Sequence, residues 1–140
     1  MISGSFDKTL HLWNMSTYQC DKVIKGVRCY SHNSLYQIDK DRVIVGGSSF
    51  SIVNLDKCVI EKTIKDASVE DVRCFLKLRD NKTILCGCND NGIFCFYDMK
   101  TEQYKITKNN HNDHITDLLF KDDNTFLSCS LDKTIKVWKY

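Results

Sequence analysis

The sequence predicts an all-β chain assembled from repeating antiparallel units. Three observations carry that expectation. The segment running from Ser128 to Trp138 repeats the segment from Ser3 to Trp13 position for position, down to the shared Ser-x-Ser-x-Asp-Lys-Thr core. Short runs rich in β-branched and aromatic residues alternate with turn residues along the chain. Finally, Trp13, Val53, Tyr97 and Trp138 succeed one another at spacings of 40, 44 and 41 residues, and self-similarity at a fixed period of this length marks a repeat architecture.

In chain order, Ser3 to Ser5, a tight Asp7-Lys8 turn and Thr9 to Trp13 read as two paired strands. Arg42-Val43-Ile44-Val45, Thr83-Ile84-Leu85-Cys86, Ile93 to Tyr97 and Thr125 to Ser128 read as strands by alternation and side-chain type. Gly46-Gly47, Asp80-Asn81 and Asn91-Gly92 interrupt them as turns. The stretch Ala67 to Leu76 is ambiguous, because Val69, Val72, Phe75 and Leu76 also fit one face of a helix. Val72-Arg73-Cys74-Phe75 falls where the repeat needs its innermost strand, and Val27-Arg28-Cys29-Tyr30 echoes it one unit earlier, which favours a strand. The chain contains no proline, so nothing forbids ladder pairing.

The residues of the two matching segments resemble the WD-repeat β-propeller family, whose blades are four-stranded antiparallel sheets of roughly 40–45 residues. The resemblance implies an all-β partial β-propeller, with approximate units at 1–26, 27–66, 67–109 and 110–140. The first and last units are specific matches. The second lacks the Asp turn, having Gly47-Ser48-Ser49-Phe50, and the third carries an extra residue near Asn89 and Tyr97-Asp98 in place of Trp-Asp.

By the same resemblance the last unit supplies a structural network of His111, Ser128, Asp132 and Trp138, and the first unit supplies Ser3, Asp7 and Trp13 without a histidine. The physical use is that a buried imidazole must satisfy both ring nitrogens, with an acid fixing its tautomer and a serine linking it to the indole N–H. A Ser, a His and an Asp also suggest a hydrolase. Ser128, however, has no Gly-x-Ser-x-Gly elbow and no Gly-rich segment for an oxyanion hole. No catalytic residue is expected.

Composition narrows the remaining classes. The 140 residues are 42% apolar and 27% charged with a net charge of +2, and no run is long enough for a transmembrane helix. Met1 to Asp7 lacks a signal-peptide pattern, which places the chain in the cytoplasm, with the nucleus left open. The eight cysteines lie mostly at apolar positions and read as reduced small hydrophobes. Cys86-Gly87-Cys88 lacks zinc spacing, and His111-Asn112-Asp113-His114 reads as a turn rather than a ligand set. Neither a metal nor a cofactor is expected. Asn14-Met15-Ser16 and Asn81-Lys82-Thr83 match glycosylation acceptors by chance. Lysines are interleaved with acids rather than gathered in a stripe, which argues against nucleic acid.

The resemblance implies binding on the face that carries the tight turns and the loops entering the inner strands. Carried over by position, it singles out Phe6 and Leu131 before the turn Asp, His114 and Thr116 in the last unit, Asp71 and Arg73 in the third, and Arg28 as a weaker match in the second. Phe6 and Leu131 either stand exposed as anchors or tuck against neighbouring loops. The expected function is a non-catalytic protein–protein interaction scaffold with protein or peptide partners. The alternative is a substrate-receptor or regulatory domain fragment of a larger enzyme complex such as a ubiquitin ligase. A phosphopeptide or nucleic-acid reader would need Arg28, Arg73 and lysines on one face. Strands are expected to be missing at both ends, an inner one before Ile2 and an outer one after Tyr140. That favours a piece of a longer protein over a second copy completing a ring.

Overall fold

The computed structural model describes residues 1–29, 34–65, 69, 71–88, 92–108 and 110–140. Among them, fourteen strands form four antiparallel sheets in simple meander order. The first sheet comprises β1 (Ile2–Gly4), β2 (Thr9–Trp13) and β3 (Cys20–Lys25). The second comprises β4 (Leu35–Gln37), β5 (Arg42–Gly46), β6 (Phe50–Asn54) and β7 (Val59–Ile64). The third comprises β8 (Cys74–Lys77), β9 (Thr83–Gly87), β10 (Phe94–Asp98) and β11 (Tyr104–Thr107). The fourth comprises β12 (Ile115–Phe120), β13 (Thr125–Ser130) and β14 (Ile135–Lys139). The inner strands β4, β8 and β12 neighbour one another in turn, so the sheets radiate from a common side. This is a partial β-propeller.

The hydrophobic core is divided among the spaces between sheets. Leu10 and Ile24 of the first sheet meet Val43, Val45 and Val53 of the second. Ile44, Phe50 and Ile52 on the other face of the second sheet meet Phe75, Ile84, Cys95 and Tyr97 of the third. Leu85 and Phe94 of the third meet Ile115, Leu118 and Phe126 of the fourth. Each inner sheet is buried on both faces, which is why β5 reads as the unbroken apolar run Val43-Ile44-Val45 rather than as alternation. Phe75 and Leu76 belong to different cores, the two-residue period of a strand. That resolves the helix ambiguity, with β8 beginning at Cys74; Ala67, Ser68 and Glu70 lie outside the described residues.

The echo at Val27 to Tyr30 is not an inner strand. The inner strand of the second sheet is Leu35–Gln37, and Tyr30 lies outside the described residues. The apolar alternation of Val27 and Cys29 comes from a connecting segment that buries both against the first core. It is fastened by the Val27 N–H to the Lys8 carbonyl (3.1 Å) and by Cys29 Sγ to Ser34 Oγ (3.2 Å). Gly46 closes β5 instead of turning it. A Cβ there would sit 2.2 Å from the Val72 carbonyl oxygen, so the loop entering β8 can lie on the end of β5 only over a glycine. The extra residue near Asn89 and the Asn91 half of the Asn91-Gly92 turn fall outside the described residues.

The strand-to-strand turns carry a second repeat. Asp39, Asp80 and Asp122 stand 41 and 42 residues apart. Each folds its carboxylate back onto amides two or three residues on, at 2.8–3.1 Å. Asn14, Asn54 and Asp98 do the same in the turns after the third strands. These Asx turns supply locally the hydrogen bonds that reversing backbone loses.

Candidate functional site

The best-defined polar cluster joins the loop before β12 to the two strands after it. His111 is buried, and its Nδ1 lies 2.9 Å from Asp132 Oδ2 while its Nε2 lies 2.6 Å from Ser128 Oγ. A carboxylate only accepts, so Nδ1 carries the hydrogen. Nε2 of the neutral ring then accepts from the Ser128 hydroxyl. The Ser128 oxygen in turn accepts from Trp138 Nε1 at 2.7 Å. The chain Asp132, His111, Ser128, Trp138 is thus fully matched, donor to acceptor, and crosses from loop to β13 to β14.

Further bonds fasten the loop to the tight turn. The Asn112 N–H donates to Asp132 Oδ2 at 3.0 Å, Ser130 Oγ donates to the Asp113 carbonyl at 3.1 Å, and the Leu131 N–H donates to the His114 carbonyl at 3.0 Å. Thr134 Oγ1 donates to Asp132 Oδ1 at 2.5 Å and lies 3.1 Å from His111 Nδ1. Thr134, Asn112 and Ser130 were not singled out in the sequence; the repetition of Thr9 and Thr134 in the matching segments was the available signal. Burial alone would raise the Asp132 carboxyl. The Thr134 hydroxyl, the Asn112 N–H and the His111 ring outweigh it and hold it well below the ordinary carboxylate range.

Repetition extends to the backbone. Lys8 and Lys133 occupy the left-handed region with φ of 68° and 67°, so the two turns are the same object. In the first sheet Trp13 Nε1 donates to Ser3 Oγ at 2.9 Å. Asp7 does not join that pair: it binds Thr9 Oγ1 at 2.5 Å, and His11 Nε2 lies 3.1 Å from the same hydroxyl. Among the described residues, the third sheet shows no polar chain at the corresponding place. Val69, Cys86 and Tyr97, each wholly buried, fill it as part of the second core.

Of the seven residues carried over by position, Phe6 and Leu131 lie on tight turns, Asp71, Arg73 and His114 on loops entering inner strands, Thr116 within β12, and Arg28 in the segment after β3. In a meander the tight turns and these loops leave the sheets at the same strand ends. Backbone bonds between neighbouring sheets hold those ends together, the Val72 N–H to the Gly47 carbonyl (2.9 Å) and the Ile115 N–H to the Cys88 carbonyl (3.4 Å). Phe6 is 73% and Leu131 51% exposed at their turn tips. His114, Asp71 and Arg73 are half-buried, and Thr116 is the extra residue of a β-bulge in β12. Arg28 is exposed but precedes β4 by several residues, so it does not flank an inner strand as positional matching expected.

Chemically, the cluster has the wrong access for nucleophilic catalysis. Ser128 is wholly buried, and its oxygen is engaged on both sides. Among the described residues, no three His, Cys, Asp or Glu side chains gather closely enough to hold a metal ion.

Comparison with known proteins matches the same region. The family model described as WD domain, G-beta repeat (WD40) covers residues 102–139, which includes the whole His111 to Trp138 chain. The transcriptional corepressor LEUNIG_HOMOLOG of Arabidopsis thaliana is 32% identical over 104 residues, 66% of this chain and 13% of that protein. Mitochondrial division protein 1 of Aspergillus niger is 26% identical over 142 residues, 99% of this chain and 20% of its own length. The WD repeat-containing protein 89 homolog of Dictyostelium discoideum is 33% identical over 73 residues, 51% and 20% of the two chains. The chain therefore spans 13–20% of the length of these curated relatives. Residues 102–139 match a WD repeat, and with its four radiating antiparallel sheets the chain is similar to WD-repeat proteins.

Proposed function

We propose that this chain is a non-catalytic interaction scaffold that presents its turn-side face to protein or peptide partners. The observation that carries the reading is the fastening of the Leu131 turn to the His114 loop through the Leu131 N–H and the Asp132 carboxylate. It holds an exposed aliphatic tip in a rigid frame. A preorganised apolar tip loses little conformational freedom on binding, which favours it as an anchor. Phe6 presents an aromatic tip on the equivalent turn, with Arg73, Asp71, His114, Thr116 and Arg28 as the polar surround.

The relatives support a shared module more than a shared role, since one is named a corepressor and another a division protein. We place the chain in a reducing compartment, the cytoplasm foremost, because its eight cysteines are free thiols. The test is affinity capture with the chain and with a Phe6→Ala, Arg73→Ala, Leu131→Ala triple variant of equal thermal stability. Loss of captured proteins by the variant, but not by a Lys82→Ala, Lys100→Ala control at the opposite strand ends, supports the reading. Undiminished capture of every partner by the triple variant overturns it.

A further inference from the structure

Cys20 is set apart from the other cysteines by its surroundings. Among the described residues it is the one exposed cysteine, and it opens β3 with its Sγ 3.4 Å from the Nδ1 of His11 on the neighbouring strand β2. The side chains behind His11 fix which ring nitrogen faces the thiol as a base. The Asp7 carboxyl is held below its ordinary range, first by the Thr9 hydroxyl, so it is ionised at neutral pH and only accepts. Thr9 therefore donates its one hydroxyl hydrogen to Asp7 Oδ1 at 2.5 Å, and the Thr9 oxygen accepts from His11 Nε2 at 3.1 Å. Nε2 of the neutral ring carries the hydrogen, and Nδ1 keeps its lone pair turned toward Cys20.

The thiol hydrogen has two acceptors within reach, His11 Nδ1 and the Lys22 carbonyl, each 3.4 Å from the sulfur. Of the two, the imidazole is the one that can take the proton away. The ring is held in place by stacking on Trp13, with centroids 5.7 Å apart at 21°. A nucleophile, its base and a third group orienting the base form the arrangement that activates a side-chain nucleophile, and the thiolate is the attacking form of cysteine. Cys58, by contrast, lies against the carbonyls of Leu55 and Asp56.

Access does not depend on an empty place beside the first sheet. In the pairing that sets Trp13 opposite Cys20, Val53 stands opposite Ile60 and Tyr97 opposite Tyr104. Ile60 is 37% and Tyr104 39% exposed, although the second and third sheets are covered on both faces. The outer strand keeps this position open, so a further sheet laid on the free face of the first would leave Cys20 reachable. An open strand position rather than a cleft suits a small disulfide, which needs an in-line path to one of its sulfurs.

We propose that Cys20 and His11 form a modification site, at which a low-molecular-weight disulfide adds one of its halves to Cys20. His11 Nδ1 takes the thiol proton, and the Cys20 thiolate attacks one sulfur of the disulfide. A new S–S bond forms as the old one breaks. The leaving thiolate takes the proton from His11 and departs as a thiol. The incoming disulfide is the oxidant, so one of its sulfurs is reduced to that thiol as Cys20 is oxidised to the mixed disulfide. The site does not depend on partner binding.

The test measures the rate at which oxidised glutathione caps each cysteine of the 140-residue chain at pH 7, by peptide mass mapping after an acid quench, in the native state and in urea. A thiol whose reactivity comes from exposure alone reacts no faster folded than unfolded. Cys20 is expected to react about tenfold faster in the native state, a modest share of what a positioned base can supply, and Cys58 to react no faster. His11→Phe, which keeps a ring against Trp13 without a base, should bring the native rate of Cys20 down to about the unfolded one. His11→Asn serves if that variant fails to fold. A native rate at or below the unfolded rate, a folded His11 variant as fast as the parent, or capping that maps to other cysteines while Cys20 stays free overturns the site.

Discussion

The Ser128 hydroxyl lies 2.6 Å from His111 Nε2, and through that contact the middle strand of the fourth sheet holds the loop that leads into its inner strand. Ser128→Ala leaves the buried His111 nitrogen and the part-buried Trp138 N–H without their partner. The expected loss is about 2–3 kcal/mol of unfolding free energy by urea titration. Ser3→Ala removes the matching bond to Trp13 in an exposed setting, where water replaces it, and should cost less than about 1 kcal/mol. Equal losses at the two positions would show that burial does not set the strength of this network.

Acid sensitivity follows from Asp132. Its carboxyl is held below the ordinary range in the folded chain, while in the unfolded chain it titrates near 3.9. A depressed folded value gives stability that is complete above the unfolded value and is lost as pH falls toward the folded one. Asp132→Asn should therefore be less stable than the parent at pH 7. The difference should shrink between about pH 5 and pH 2 as the parent loses its advantage. Urea titrations across that range that keep a constant gap would contradict the assignment.

Gly46→Ala places a methyl 2.2 Å from the Val72 carbonyl oxygen. Backbone rather than a flexible side chain stands in the way, so the loop entering β8 must move. The expected cost is about 1–3 kcal/mol. Amide exchange should quicken first at Val72, whose N–H is held by the Gly47 carbonyl. Exchange unchanged at Val72 would mean that the loop does not rest on this glycine.

The thiols should divide by burial. Cys20 is exposed, whereas burial pushes the Cys74 thiol up to about 12 and Cys86, packed beside Cys95, well above its ordinary value. With an aromatic disulfide reagent at pH 8, Cys20 should react in the native state. Cys74, Cys86, Cys88 and Cys95 should react only as the chain unfolds. Prompt labelling of all eight would contradict the packing of the third sheet.

The His111 to Trp138 chain was legible through the resemblance of the last unit to WD repeats, which supplied its four members by position. The fourth sheet and its twin at Trp13 were read from identity alone. The inner strand of the second sheet was not, because Val27 and Cys29 alternate like a strand while serving as core plugs in a connection. The Asp80-Asn81 turn was legible, but its recurrence at Asp39 and Asp122 was not, because a lone Asp in a polar loop looks like any other. The Lys62–Glu102 ion pair could not be read at all, because it forms where two sheets meet, between residues 40 positions apart.

Three cores between four sheets also set how the chain comes apart. No sheet owns a core. The second and third are each held by two neighbours, and the first and fourth by one. Cohesion in such an array is a matter of nearest-neighbour couplings, so opening should begin at the outer sheets and move inward. Protection of backbone amides should form a gradient that peaks at β5, β6, β9 and β10, making the segment from Arg42 to Asp98 the last part of the molecule to melt.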